Sequence, residues 1–180
     1  MTRADHIRQM ANYNQWMNAK LYEAARQLSD EELAADKGAF FHSIIGTLNH
    51  IAVGDTIWLK RFVTHPANYA VHEAVQNLPN PTSLDQLLHA DMQGLSGYRT
   101  ALDQIILDWA QSVNEEDLDH VLQYATTKNI ATHKNFFSIT MHFFNHQTHH
   151  RGQVTTLLSQ AGVDVGATDL MVLIPNEYVA

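Results

Sequence analysis

Apolar residues recur at three- and four-residue steps over four long stretches of the chain, and each stretch predicts an amphipathic helix. The first spans about residues 4–28, with Ile7, Met10, Met17, Leu21, Ala24 and Leu28 on its stripe. Asn14 interrupts that stripe and Asn18 lies one turn further on; amides at the edge of a core are read as hydrogen-bonded. Ser29 and Glu32 stand at capping-box spacing and predict a short new turn of helix, after which Asp36-Lys37-Gly38 marks a loop. The second long helix covers about residues 42–63, with Ile44, Leu48, Ile51, Trp58 and Phe62 in period and Asp55 among them.

Between residues 64 and 81 the pattern breaks at Pro66, Pro79 and Pro81, with Asn68, Asn77 and Asn80 interspersed. A connection of this length, with one helical turn inside it, suits a crossover between parallel helices, because antiparallel neighbours join through short loops. The third long helix is expected to open at Thr82 or Ser83, where Ser83 and Gln86 have capping-box spacing. It then keeps Leu84, Leu88, Met92, Leu95, Tyr98, Leu102, Ile105 and Trp109 in period to about Ala110. Gly94 and Gly97 weaken it by roughly 1 kcal/mol each relative to alanine and leave room for another helix to come close.

Residues 115–134 change period. Val121, Gln123 and Ala125 alternate with Leu122 and Tyr124, a turn follows over Thr126-Thr127-Lys128-Asn129, and Ile130-Ala131-Thr132 comes next. That is a short two-stranded hairpin. The fourth long helix starts near Asn135, carries Ile139, Phe143, His146, His150, Val154, Leu157 and Ala161 on one narrow arc, and stops at Gly162. Residues 163–180 are apolar from Leu170 to Ile174 but too short and irregular for a further long helix, and are expected to pack back along the others.

Composition narrows the function. With 180 residues, 45% hydrophobic and 17% charged, the chain fits one globular domain with a real core. A net charge of −8 argues against holding a phosphate backbone, so no nucleic-acid partner is expected. The absence of cysteine removes disulfides, thiolate metal sites and a cysteine nucleophile together; any thiol chemistry needs a thiol from outside. The polar N-terminus is not a secretory signal and no apolar run reaches the ~18 residues of a membrane helix, so a cytoplasmic protein with no membrane partner is expected.

Twelve histidines are the compositional outlier, and three fall within five residues of the fourth helix, in Asn145-His146-Gln147-Thr148-His149-His150. At a spacing of four, His146 and His150 lie one above the other, about 5–6 Å apart at Cβ, while His142 and His149 flank them. Two imidazoles on an apolar face either find hydrogen-bond partners for both nitrogens or share a metal ion. Gln147 stands where the H-E-x-x-H protease motif would have its glutamate, so that motif is absent. A third ligand must come from elsewhere. His50 is the candidate, among the small residues Gly46, Thr47 and Gly54, but it lies more than a quarter turn off the apolar stripe of the second helix, and helical geometry by itself does not choose it over His42. Asp55 is open to two readings, a carboxylate that orients a metal-bound histidine or an ordinary buried acid with a partner.

Four stretches resemble the DinB superfamily (DinB/YfiT-like metalloenzymes), and the likeness runs along nearly the whole chain. They are Tyr13-Asn14-Gln15-Trp16-Met17-Asn18; Gly46-Thr47-Leu48-Asn49-His50-Ile51 with Asp55 and Trp58; 145–153 around His146 and His150; and Thr168-Asp169-Leu170. The resemblance implies a single all-α domain over residues 1–180. Its fold would be a four-helix bundle in up-down-down-up order, with the short hairpin before the last helix, commonly assembled as a homodimer. It also implies a divalent transition metal (zinc, nickel or iron) held by three histidines, falling here on His50, His146 and His150.

Three neutral imidazoles leave coordination positions open, as in a catalytic site. The leading reading is a metal-dependent enzyme, the metal acting as a Lewis acid or activating a nucleophile. Thiol-dependent transfer with a low-molecular-weight thiol is the first subclass, since some relatives work that way, and metal-assisted hydrolysis is the second. A non-catalytic metal-binding stress-response module is the alternative, and a purely structural role for the histidines is the third, with Phe137 and Phe144 as a dimer interface or as packing under the tail. No dedicated general base stands out among Asp55, His142 and His149. Gly94-Leu95-Ser96-Gly97 is one residue short of the G-x-S-x-G elbow and falls in a helix.

Overall fold

The structure, a computed structural model, describes residues 1–176. Among the described residues the fold is all-α apart from one hairpin. Six helices, α1 (Arg3–Ala25), α2 (Asp30–Ala34), α3 (Ile44–Phe62), α4 (His72–Gln76), α5 (Met92–Ser112) and α6 (Phe136–Gln160), are joined by strands β1 (Val121–Ala125) and β2 (Ala131–Asn135) between α5 and α6. Two 3-10 turns, Glu116–Asp119 and Leu170–Leu173, complete the described chain.

Side chains at the helix starts explain where they begin. Thr2 and Asp5 form a reciprocal capping box at α1, and Ser29 and Glu32 do the same for α2, as their spacing predicts. Ser43 accepts from the Gly46 amide at α3, Asp91 from Gly94 at α5 and Asn135 from Ser138 at α6.

Each of the four long helices packs on two others, α1 on α5 and α6, and α3 on α5 and α6. The periodic residues meet in the middle. Phe62 stacks on Trp109 with centroids 4.8 Å apart, and Phe136 and Phe143 close edge-on to Phe62 at 5.4 and 5.3 Å. All four rings are fully buried; burial of each such side chain stabilises by about 1.5–3 kcal/mol, with the edge-to-face geometry adding to it. Phe144 is buried too, within 6.5 Å of Trp109, and Phe137 packs partly buried against the core. The Phe144 ring is therefore spent on the core and not on a dimer interface.

The hairpin pairs antiparallel from Val121↔Asn135 to Ala125↔Ala131. Val163 and Val165 are buried, and the following segment runs along α1, where the Tyr13 hydroxyl donates to the Thr168 carbonyl at 2.6 Å and Lys20 to that of Ala167 at 2.6 Å. The last four residues of the expected tail, 177–180, lie outside the described residues. Among those described, no helix is long and apolar enough to cross a membrane.

The third long helix starts ten residues later than its period predicts, at Met92 rather than Thr82. Thr82 does meet Gln86, through its amide (2.7 Å) and hydroxyl, but no helix follows. The backbone of this stretch is held by α3 instead. The Asn49 side-chain oxygen accepts from the amides of Leu88 (2.7 Å) and His89 (3.1 Å), and its nitrogen donates to the His89 carbonyl (2.9 Å). Those bonds satisfy the groups that a first helical turn would leave unpaired. Residues 82–91 are thereby laid across one flank of α3. The expected role of the α5 glycines also changes: Gly94 is approached by the His89 ring and not by another helix, and Gly97 faces open space.

Candidate metal centre

His50 on α3 and His146 and His150 on α6 meet at one point. The Nε2 atom of His50 lies 3.1 Å from Nε2 of His146 and 3.2 Å from Nε2 of His150. His50 and His150 are buried and His146 is partly so.

His50 owes its burial to two pieces of loop. Phe41 stacks on its ring, centroids 3.7 Å apart and 16° between planes, and the Leu84 carbonyl takes its Nδ1–H at 2.7 Å. The first comes from the turn before α3, the second from the stretch pinned by Asn49. The same turn requires Gly46, where a Cβ would stand 2.2 Å from the Phe41 carbonyl oxygen. His42 sits in that turn at φ 64°, exposed and near Asp36, away from the three rings. His150 is oriented by Gln153, whose Oε1 accepts from Nδ1 at 2.7 Å, and its ring meets the edge of Phe41.

These partners fix the protons. A carbonyl only accepts, so Nδ1 of His50 carries hydrogen, and Nδ1 of His150 does the same towards Gln153. In neutral rings the Nε2 atoms of His50 and His150 are then both lone pairs, 3.2 Å apart with no proton between them. Nε2–H of His146 can satisfy one of the two and not both. A cation between the three nitrogens removes the conflict. A metal at about 2.0–2.1 Å from tetrahedral nitrogen ligands separates those nitrogens by roughly 3.3 Å, close to the observed spacings. The donor set and its spacing fit a divalent ion that accepts imidazole.

Burial, reinforced by the neighbouring His150 and His50, lowers the His146 pKa to about 3. Burial is the main cause that lowers His50 and His150 as well. All three rings are therefore neutral near pH 7, the form that binds a metal.

A cavity of about 300 Å³ opens beside the triad, walled by His50, His146, Trp58, Arg61, Tyr124 and His142 among others. Its far wall is the hairpin. His142 stands edge-on to Trp58 at 5.3 Å, while His149 is exposed on the other flank of α6, outside the cavity lining.

Asp55 is the ordinary buried acid and orients no histidine. It is fully buried, accepting from Arg99 at 2.5 Å and from Gln147 at 2.8 Å. Arg99 also pairs with Asp103 at 3.0 Å; Asp103 accepts from Asn18 at 2.8 Å and Asn14 at 3.3 Å; and Arg151 donates to Asn14. The two asparagines that interrupt the α1 stripe thus belong to a buried network of two acids and two arginines. Arg99, Asp103 and Arg151 escaped sequence reasoning; the signal available was a charged residue on each buried helix face, at Asp55, Arg99, Asp103 and Arg151. Gln147 faces this network and not the triad. Ser96, in the shortened elbow-like stretch, is buried inside α5.

Protein DinB of Bacillus subtilis (strain 168) is 26% identical over 166 residues, which cover 92% of this chain and 92% of that protein. No solved structure gave a significant match. The profile of the DinB family matches residues 1–177, nearly the whole sequence, and the chain belongs to the DinB family.

Proposed function

We propose that the protein is a metal-dependent enzyme of the DinB family, with one divalent transition metal held by His50, His146 and His150. Zinc, nickel and iron all suit the donors. The observation that carries the reading is the convergence of three Nε2 atoms, that of His50 lying 3.1 and 3.2 Å from those of His146 and His150, with the protons of His50 and His150 already committed to Nδ1. The four long helices are read as one domain, a bundle in up-down-down-up order, with α3 and α6 as the two ligand-bearing members.

When bound, the metal supplies Lewis acidity to a group entering from the cavity. The chain's own residues do the rest. Phe41 and the Leu84 carbonyl hold the His50 ring, and Gln153 holds His150, so their Nε2 lone pairs stay aimed at one point. Trp58 and Tyr124 give the cavity apolar walls that limit water around a bound molecule. His142 on the wall is the ring placed to take a proton at a free nitrogen; Asp55, enclosed by Arg99 and Gln147, is not.

Thiol-dependent transfer is the leading subclass. The chain has no cysteine, so a thiol must arrive as a small molecule, and the cavity beside the triad has room for one. The test uses untagged protein loaded with Co²⁺. Adding 2-mercaptoethanol should shift its visible spectrum as sulfur enters the open position, and a spectrum that ignores thiols contradicts the transferase subclass.

A further inference from the structure

The cavity beside the triad has a cation in its wall that the fold leaves without an acid. Arg61 stands near the C-terminal end of α3, on the same side as His50, Gly54 and Trp58, about 16 Å along the helix from His50. Its guanidinium carbon lies 4.6 Å from the centroid of Trp58 and 4.8 Å from that of Tyr124, and Nη2 donates to the Ala125 carbonyl at 3.1 Å. Among the described residues no carboxylate comes within 4 Å of it, and Nε and Nη1 find no protein acceptor.

The contrast with the other arginines is informative. Arg3, Arg8, Arg26 and Arg99 each pair with an Asp or Glu. Arg151, the other one without an acid, is buried in the core, where Asn14 and Thr148 accept from it. Among the described arginines that line a cavity, only Arg61 has no acid beside it. Burial lowers its pKa from the usual guanidinium value, a cost that an anion beside it would offset. The two ring faces hold the fork in place, so little freedom is lost when it binds.

We infer that Arg61 is the recognition residue for the carboxylate of a small organic acid that fills this cavity. The apolar part of that acid lies along Trp58 and Tyr124, and its other end reaches the histidines. For that last contact the inference rests on the metal-centre reading; the Arg61 contact does not. A carboxylate suits the site better than a phosphate. Arg61 is the only Lys or Arg on the lining and supplies one positive charge, which matches a monoanion, and its planar fork matches two carboxylate oxygens. At about 30 Å³ per water-sized group, 300 Å³ holds roughly ten non-hydrogen atoms, the size of a benzoate.

The experiment titrates the full chain, metal-loaded and EDTA-treated, with benzoate, the neutral isostere benzamide, and phenyl phosphate. Tryptophan fluorescence is the readout, and the Trp58→Phe protein shows that the signal comes from this cavity. The expected result is benzoate binding at least about tenfold tighter than benzamide, with the preference abolished in Arg61→Gln, partly kept in Arg61→Lys, and benzamide binding unchanged in both. Thermal unfolding of the two variants verifies that they fold. Equal binding of benzoate and benzamide, no binding of either, or a preference that survives Arg61→Gln overturns the inference, leaving Arg61 as a pin between α3 and β1. Phenyl phosphate binding about tenfold tighter than benzoate overturns the carboxylate assignment. The same preference in EDTA-treated protein shows only that the Arg61 contact needs no metal, whereas an Arg61-dependent preference in protein that takes up no Zn²⁺, Ni²⁺ or Fe²⁺ when offered it sinks the metalloenzyme reading alone.

Discussion

Gly54 faces the ring of His146 so closely that a Cβ built on it would stand 2.8 Å from Cε1. The glycine on α3 is the space into which a histidine of α6 fits, one turn below His50. The Gly54→Ala protein should fold, since alanine favours the helix by about 1 kcal/mol, but its His146 ring must move. Metal affinity should fall at least about tenfold, the scale on which displaced supporting groups act. Competition with a chromophoric chelator measures it, and unchanged affinity means that His146 does not need its present position.

Asn49 ties residues 82–91 to α3 and so sets the Leu84 carbonyl over His50. Asn49→Ala leaves two amides and a carbonyl without their partner. Its cost should be about 1–3 kcal/mol in urea unfolding, and it should weaken metal binding although Asn49 touches no metal ligand nitrogen. A loss of stability with full metal affinity would show that the Leu84 contact is dispensable.

Asp55 gives the opposite pattern. Removing its carboxylate in Asp55→Ala leaves Arg99 with Asp103 alone and Gln147 without its acceptor in the core, and breaking a buried pair from one side costs up to about 3–5 kcal/mol. The fraction that remains folded should still bind its metal, since Asp55 bonds to none of the three rings. Metal lost from folded Asp55→Ala protein would return Asp55 to a role in orienting a ligand.

His65 makes part of the stability depend on pH. It is buried, its Nδ1 accepts from the Ala67 amide at 3.0 Å and its Nε2–H donates to the Asp117 carbonyl at 3.2 Å, an arrangement that needs the neutral ring. Burial lowers its pKa below the usual 6.5. Below 6.5 the unfolded chain therefore takes up a proton that the folded chain refuses. The contribution is whole above that pH and is lost as pH falls towards the depressed folded value. Urea unfolding of EDTA-treated protein at about pH 7.5 and pH 5.5 should show a smaller acid loss for His65→Gln than for the parent. Equal losses would remove His65 from the account.

The sequence periods placed α1, α3 and α6 within a few residues and located the hairpin, because in each the buried face is made by contacts between regular elements. They failed where loops do the burying. On a wheel His50 lies more than a quarter turn off the apolar stripe of its helix; it is buried because Phe41 lies on one side of it and Leu84 on another, and neither comes from a helix. Residues 82–91 failed for the same reason. Leu84 and Leu88 keep helical period, yet Asn49 takes the amides of Leu88 and His89, and no pattern local to 82–91 encodes an acceptor forty residues away. The pairing of His146 with His150 was legible from their spacing. The choice of His50 came from family resemblance, and Arg61 had no signal beyond one arginine near Trp58.

The central claim is that three histidines hold one metal. Its most direct test is elemental analysis of untagged protein purified without a metal column, alongside His50→Ala, His146→Ala and His150→Ala. Close to one equivalent of a divalent transition metal per chain, lost in each variant while the helical circular-dichroism signal persists, is the predicted result. Parent protein that carries no stoichiometric metal and takes none up from Zn²⁺, Ni²⁺ or Fe²⁺ would contradict it.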